Sequence, residues 1–338
     1  MHKTQTLLSV GLLIYFLNFI FELGLLLFSL LKCIFLFVVK SVAPPRLKSV
    51  EGEIVLVTGA AHGIGHHLAM QLASLRAIVV CLDKDKEGNN DTAHKIRTRG
   101  HQSYAYTCDV SNRSSVQDTA IMIIKEVGIV TFIINNAAIH NLNPLMVQSS
   151  EDILEEINTN LMSQFWILQA FLPSMIDSNH GHVVCISSMC GVAGVKDMVP
   201  YCTSKFAVSG LMDSLGEEMR AYATGVKVTT VYPFYVDTGM ARDPAFSLIL
   251  HAWLAMAWKV ETEQYFSMLS CGLEQSSWLS GACARSGYLV ESARVGFPLL
   301  FSAVSPTQAA SDIIQGVLRG YTEFSIPKIL LPAQRIIR

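Results

Sequence analysis

The sequence predicts an α/β domain, a parallel sheet wound on both faces by helices, behind a hydrophobic N-terminal segment. Three observations carry this expectation. Strand-like and helix-like stretches alternate from Glu53 onward. Several strand-like runs are apolar at almost every position, as strands covered on both faces are. A glycine-rich stretch from Val57 to His67 stands at the first passage from strand to helix.

The bulk composition narrows the class. The chain has 338 residues, 51 % of them hydrophobic and 15 % charged. That is too apolar for disorder and apolar for a purely soluble enzyme. A formal net charge of -2 leaves no electrostatic footprint for nucleic acid. The 8 cysteines include no CxxC pair and no metal-ligand spacing. Cys81, Cys108 and Cys185 lie in strand-like runs and read as small buried hydrophobes. This usage argues against a disulfide framework and a metal site, and for a reducing compartment.

Residues 1–40 read as a membrane anchor. Between Thr6 and Val39 the charged residues are Glu22 and Lys32 alone. About 20 apolar residues cross the hydrocarbon core. Leu7 to Leu31 meets that length when Glu22 sits near an interface, since a central Glu is costly. A tilted single span and a re-entrant hairpin both fit. A cleaved signal peptide would have a shorter apolar region, about 7–15 residues, and a small-residue cleavage site. Lys40, Arg46 and Lys48 follow the segment and Lys3 alone precedes it. That bias places the C-terminal domain on the cytosolic side. Residues 41–51, with Pro44-Pro45, form a stiff linker. Residues 52–330 form one catalytic domain.

The strand-like runs are Ile54–Thr58, Ile78–Leu82, Ser103–Cys108, Phe132–Asn135, His182–Ser187 and Val226–Val231. Ile64–Leu75 and Val116–Val127 are helical patterns between them. This order predicts βαβ crossovers of the Rossmann type. Gly59, Gly63 and Gly65 fall at the first strand-to-helix turn, spaced as TGxxxGxG. Glycine serves where backbone takes φ > 0 or approaches a ligand closely. The free N–H groups of the helix start would then face a pyrophosphate. A plain structural turn is the alternative. Asp83 follows the second strand, where a carboxylate binds ribose hydroxyls and repels a 2′-phosphate. It favours NAD over NADP, or it caps a turn, with Lys84 beside it. Asp109-Val110 closes the third strand, and either sits beside an adenine ring or starts the next helix.

Tyr201 and Lys205, in "YCTSK", are four residues apart and share one helix face. A free tyrosine titrates near pH ~10. A neighbouring ammonium favours the phenolate, so the pair is a candidate acid–base unit. Ser188 closes the fifth strand, with a hydroxyl able to steady a substrate oxygen. Asn160 lies in the apolar helical stretch "INTNLMSQFW", either as a satisfied core amide or as part of a proton relay. Further on, "SPTQAASDIIQGVLRG" reads as a helix with Ser305 at the N-cap, Pro306 in its first turn and Gly320 as its stop. "YTEFSIPK" reads as the last strand.

Together these residues resemble the short-chain dehydrogenase/reductase family, from about Gly52 to Lys328. The resemblance rests on Thr58 to Gly65, Asn135-Asn136-Ala137-Ala138, Asn160, Ser188, Tyr201 and Lys205. It implies a dinucleotide over Gly59, His62, Gly63, Ile64 and Gly65. It implies that Tyr201 is the acid/base, that Lys205 also binds the nicotinamide ribose, and that Ser188 orients the substrate. Asn160 would hold a water in the relay. Asn136, with Ala137, would brace the central strand and the cofactor's floor. Thr238 would reach the carboxamide, near Pro233 and Val236.

"GEIVLVTGAAHGIG", "AFLPSM", "GHVVCISS" and "YCTSKFA" resemble more closely a membrane-anchored branch containing retinol and lipid-droplet 17β-hydroxysteroid dehydrogenases. That branch implies NAD-dependent interconversion of lipophilic alcohols and carbonyls, retinol first and a 17β-hydroxysteroid second. It implies the endoplasmic reticulum membrane or lipid droplets, contact with membrane lipid, and a homodimer.

Three features depart from the family pattern. Ala138 stands where glycine is usual, so either a φ > 0 backbone is strained or a methyl presses on the cofactor. Phe234 follows Pro233 where many relatives have glycine. Residues 242–305 form an unusual insertion carrying three of the 4 tryptophans, Trp253, Trp258 and Trp278. Its run "AFSLILHAWLAMAWKV" would lie on a membrane or over the pocket, or have no role. Two rivals follow: a catalytically weak membrane or lipid-droplet scaffold, and an NADPH-linked carbonyl reductase.

Overall fold

A computed structural model describes residues 20–25, 27–29, 31–32, 46–238 and 304–326. The chain divides into two compact units, Met1–Lys48 and Ser49–Arg338. In the first, the described residues of 20–32 are helical and exposed. Phe21, Phe28 and Leu31 turn large apolar side chains outward. Among the described residues no helix is long and apolar enough to cross a membrane. The rest of the expected anchor and nearly all of the 242–305 insertion lie outside the described residues.

The second unit is built on seven parallel strands in the order β3-β2-β1-β4-β5-β6-β7. They are β1 (Ile54–Thr58), β2 (Ile78–Asp83), β3 (Ser103–Thr107), β4 (Phe132–Asn135), β5 (Gly181–Ile186), β6 (Val226–Pro233) and β7 (Glu323–Ile326). All seven expected strands form, with ends shifted by a residue or two. Every position of β4 and β5 is buried, which explains their apolar sequences. β3 is an edge strand and partly exposed.

The helices are α1 (Gly63–Ser74), α2 (Lys86–Thr98), α3 (Arg113–Glu126), α4 (Ser150–Ile157), α5 (Ser163–Asp177), α6 (Val199–Ala221) and α7 (Pro306–Leu318). Side chains cap four of them: Asp85 for α2, Asn112 for α3, Ser149 for α4 and Ser305 for α7. Each such cap satisfies backbone N–H groups that the helix leaves free. Asn112, not Asp109, therefore starts α3. Asp109 instead accepts from the Ser111 N–H at 3.0 Å and the Ser111 hydroxyl at 2.7 Å.

"INTNLMSQFW" is not a plain α-helix. Asn158–Met162 forms a π turn between α4 and α5. The sequence continues the helical pattern on both sides, so periodicity alone does not reveal the wider turn.

Two hydrophobic clusters cover the faces of the sheet. One joins Val55, Val57 and Ile134 to Leu68 and Leu72 of α1 and Ile313 of α7. The other joins Leu56, Ile133 and Val183 to Ile123 of α3, Ile167 and Phe171 of α5, and Val208 of α6. Each fully buried Leu, Ile or Phe contributes about 1.5–3 kcal/mol. Cys81, Cys108 and Cys185 are buried within these clusters as free thiols. The strand order reverses between β1 and β4. A crevice opens at the carboxyl ends of the strands at such a switch point.

Candidate active site

The floor of the crevice is the turn after β1. Gly59 has φ +69° and Gly63 has φ +53°, conformations that L side chains rarely adopt. Gly65 is required by proximity instead. A Cβ there would lie 2.0 Å from the Gly59 carbonyl oxygen and 2.6 Å from Asn136 Nδ2. Asn136 ties this turn to the end of β4. Its Nδ2 donates to the Thr58 carbonyl at 2.9 Å and to the Gly59 carbonyl at 3.3 Å. In return Thr58 Oγ1 accepts from the N–H groups of Asn136 at 2.9 Å and Ala137 at 3.0 Å. Backbone can come close to a dinucleotide here because no side chain stands in the way.

Asp83 ends β2 beside that turn. Its Oδ2 accepts from the Ala61 N–H and its Oδ1 from the Asp85 N–H, both at 2.9 Å. The carboxylate is thereby fixed in place. Lys84 Nζ is 3.8 Å from Glu155 Oε1, which offsets its charge. His62 Nε2 meets Asp85 Oδ2 at 2.7 Å.

The candidate acid–base residues come from the end of β5 and from α6. Tyr201, Ser188 and Lys205 are all buried, Lys205 to 2 % exposure. The Ser188 hydroxyl lies near Tyr201 and favours its charged form. Ser188 Oγ also accepts from the Cys190 N–H at 3.2 Å. Lys205 Nζ donates to the Ile186 carbonyl at 3.0 Å and lies 5.6 Å from the centre of the Tyr201 ring.

The electrostatics correct one expectation. Burial pushes Tyr201 well above its ordinary value, Cys190 adds to this, and the Ser188 hydroxyl opposes it. Burial pulls Lys205 down to about 8. Desolvation, which the YxxxK spacing does not reveal, is the largest influence on Tyr201.

Asn160 sits in the π turn, completely buried. Its Oδ1 accepts from the Ile139 N–H at 2.8 Å. Its Nδ2 donates to the Ile139 carbonyl at 2.8 Å and to Ser204 Oγ at 3.1 Å. The side chain is a satisfied core amide that pins the segment after β4 to α6.

One cleft of about 470 Å³ collects nearly all the expected residues. Gly59, His62, Gly63, Ile64, Asp83, Asp109, Val110, Asn136, Ala137, Ser188, Tyr201, Lys205, Pro233, Val236 and Thr238 all line it, with Thr238 beside Gly63. Gly65 and the Asn160 side chain stand behind the wall.

Comparison with known proteins agrees with this geometry. The short chain dehydrogenase family model matches residues 53–245. The chain belongs to that family. This short-chain dehydrogenase is 39 % identical to human 17-beta-hydroxysteroid dehydrogenase 13, over 68 % of this chain and 77 % of that one. It is 42 % identical to human epidermal retinol dehydrogenase 2, over 66 % of this chain and 71 % of that one. A metagenomic short-chain oxidoreductase solved in complex with NADP superposes with a TM-score of 0.53. It has 33 % identity and covers 55 % of this chain and 84 % of that chain. A short-chain dehydrogenase/reductase from Burkholderia phymatum, solved with NAD, shares the fold at a TM-score of 0.65. There the identity is 22 %, over 86 % of this chain and 94 % of the other.

Of the two readings of Ala138, backbone strain is removed, since Ala138 is not among the residues with positive φ. Ala138 lines the cleft. The sequence reading of this dehydrogenase missed two residues. His140 lines the cleft and packs edge-on against Tyr201, ring centres 5.9 Å apart. Glu156 is buried behind α6. No motif marks either, because both arrive by tertiary packing.

Proposed function

We propose that this short-chain dehydrogenase interconverts a lipophilic alcohol and its carbonyl compound with NAD. The observation that carries the reading is the meeting of Ser188, Tyr201 and Lys205 with the glycine turn in one cleft. When bound, the nicotinamide supplies the hydride acceptor and a positive charge. Ser188 holds the substrate oxygen, and the Tyr201 phenolate oxygen takes the hydroxyl proton. Lys205 steadies that phenolate and reaches the ribose. Holding alcohol and acceptor in line supplies much of the rate. The residues fit such a cofactor: Gly59 and Gly63 carry the turn at positive φ and Gly65 lets the start of α1 pack tightly on it, so Gly59 and Gly63 reach the cleft without side chains. Asp83 favours NAD, because its fixed carboxylate repels a 2′-phosphate.

Retinol is the first candidate substrate and a 17β-hydroxysteroid the second, on the strength of the two human relatives. Val110, Ile139 and Phe234 give the cleft apolar walls suited to either. The exposed apolar side chains of residues 20–32 support attachment to the endoplasmic reticulum membrane or a lipid droplet, with the catalytic domain in the cytosol. An apolar groove between α5 and α6, lined by Phe165, Leu172 and Leu211, supports a homodimer.

The rival reading is a scaffold that keeps the fold and has lost efficient turnover. Ala138 in the cleft lining favours it. The two separate on NADH formation by membranes carrying the chain, supplied with NAD and all-trans-retinol or a 17β-hydroxysteroid. Activity abolished by Tyr201→Phe supports the enzyme. Equal rates in both proteins, or none in folded protein, move the reading to the scaffold.

A further inference from the structure

Glu156 lies on the last turn of α4, two residues before the π turn. It is 0 % exposed, and no donor meets either carboxyl oxygen with full hydrogen-bond geometry, the Asn141 amide being the near backbone group that favours its charged form. A buried carboxylate so weakly partnered is costly. Such a group in a native fold calls for an explanation, a role in the chemistry among them. Its place suggests one. Helix α4 packs on α6, the helix that carries Tyr201, Cys202 and Lys205.

Burial raises Glu156 to about 7. The Asn141 amide and Lys205 pull it back down, and Cys202 pushes it up. The influence is mutual: the Glu156 carboxylate raises both Tyr201 and Lys205. From the segment after β4, Asn141 turns its amide toward Glu156 and His140 packs on Tyr201. On α4 itself, Glu155 is exposed and pairs with Lys84.

We propose that Glu156 is a positioning residue whose buried carboxyl, lodged against helix α6, sets the charge state of the Tyr201–Lys205 pair. As a carboxylate it favours the lysine ammonium and disfavours the tyrosine phenolate. As a neutral acid it does neither. The kinetic consequence rests on the oxidoreductase reading above, whereas the electrostatic coupling does not.

The experiment uses the full chain in detergent, with the variants Glu156→Gln, Glu156→Asp and Lys205→Met. Infrared difference spectra follow the protonated carboxyl band that Glu156→Gln removes. We expect a midpoint near pH ~7, moved upward in Lys205→Met because the opposing ammonium is gone. In parallel, kcat/KM for the alcohol is followed against pH. Glu156→Gln should move its rise to lower pH by about half a unit or more, while Glu156→Asp keeps the wild-type profile. A band that titrates as an exposed carboxyl does, or ignores Lys205→Met, overturns the proposal. So do superimposable rate profiles in folded protein of unchanged melting temperature. A band that responds to Lys205→Met without turnover of either alcohol sustains the coupling and instead sinks the assigned function.

Discussion

Lys205 stands beside Tyr201 with its Nζ 5.6 Å from the ring centre, anchored there by the Ile186 carbonyl at 3.0 Å. The ammonium is therefore placed by the end of a central strand and does not wander. If this pair is the acid–base unit, Tyr201→Phe should lower kcat/KM by about a hundredfold or more. Binding of NADH, followed by its fluorescence, should stay near wild type. Lys205→Met should lose both rate and cofactor affinity, because the same side chain reaches the ribose.

Gly65 tests the cradle. The added Cβ of Gly65→Ala would fall 2.0 Å from the Gly59 oxygen, with no flexible side chain to give way. Overpacking of this kind costs about 1–3 kcal/mol. A lowered melting temperature together with weakened NADH binding is expected. Unchanged binding would remove the turn from the cofactor site.

Asp83 tests the cofactor. Its carboxylate is fixed by the amides of Ala61 and Asp85. Asp83→Ala should shift the ratio of kcat/KM for NAD and NADP toward NADP by about tenfold, or ~1.4 kcal/mol. Little change would favour an NADPH-linked reductase.

Ala138 tests the scaffold rival. Its φ is not positive, so Ala138→Gly relieves no backbone strain. The stability change should stay within about 1 kcal/mol and, if anything, fall. A large gain in NADH affinity would show that the methyl had been pressing on the cofactor.

The buried carboxyl of Glu156 also predicts how stability varies with pH. Its value is raised from 4.5 to about 7 in the fold. The folded chain therefore holds a proton that the unfolded chain gives up. Its contribution to stability is whole below the unfolded value and is lost as pH rises through about 7. Between pH ~5 and ~8 the wild type should lose about 1–3 kcal/mol relative to Glu156→Gln. Urea unfolding at the two pH values checks it.

Much of this site was legible because its signals are local. The glycine turn, the Tyr201–Lys205 spacing and the strand that ends before Ser188 are each written in a few neighbouring residues. Asp109 was harder, since either it or Asn112 would serve as a cap. Glu156 and His140 were invisible, for their importance comes from α4 and the segment after β4 folding against α6. The charge of Tyr201 was misjudged for a related reason. Sequence shows the neighbouring lysine but not the burial that raises it. The backbone angle at Ala138 was likewise a property of the folded turn.

The π turn at Asn158–Met162 changes what the α4–α5 rod can do. Each α-helical residue advances by about 100°, so one residue added to a single turn is a phase slip between its two halves. Beyond the slip, Ile167 and Phe171 point to the sheet. Before it, Glu156 is buried where α4 packs on α6. Deleting one residue from the turn would let the rod run unbroken and rotate its first half by that angle. Glu156 would swing away from α6. The rod thus serves two neighbours at once because it is miscounted by one.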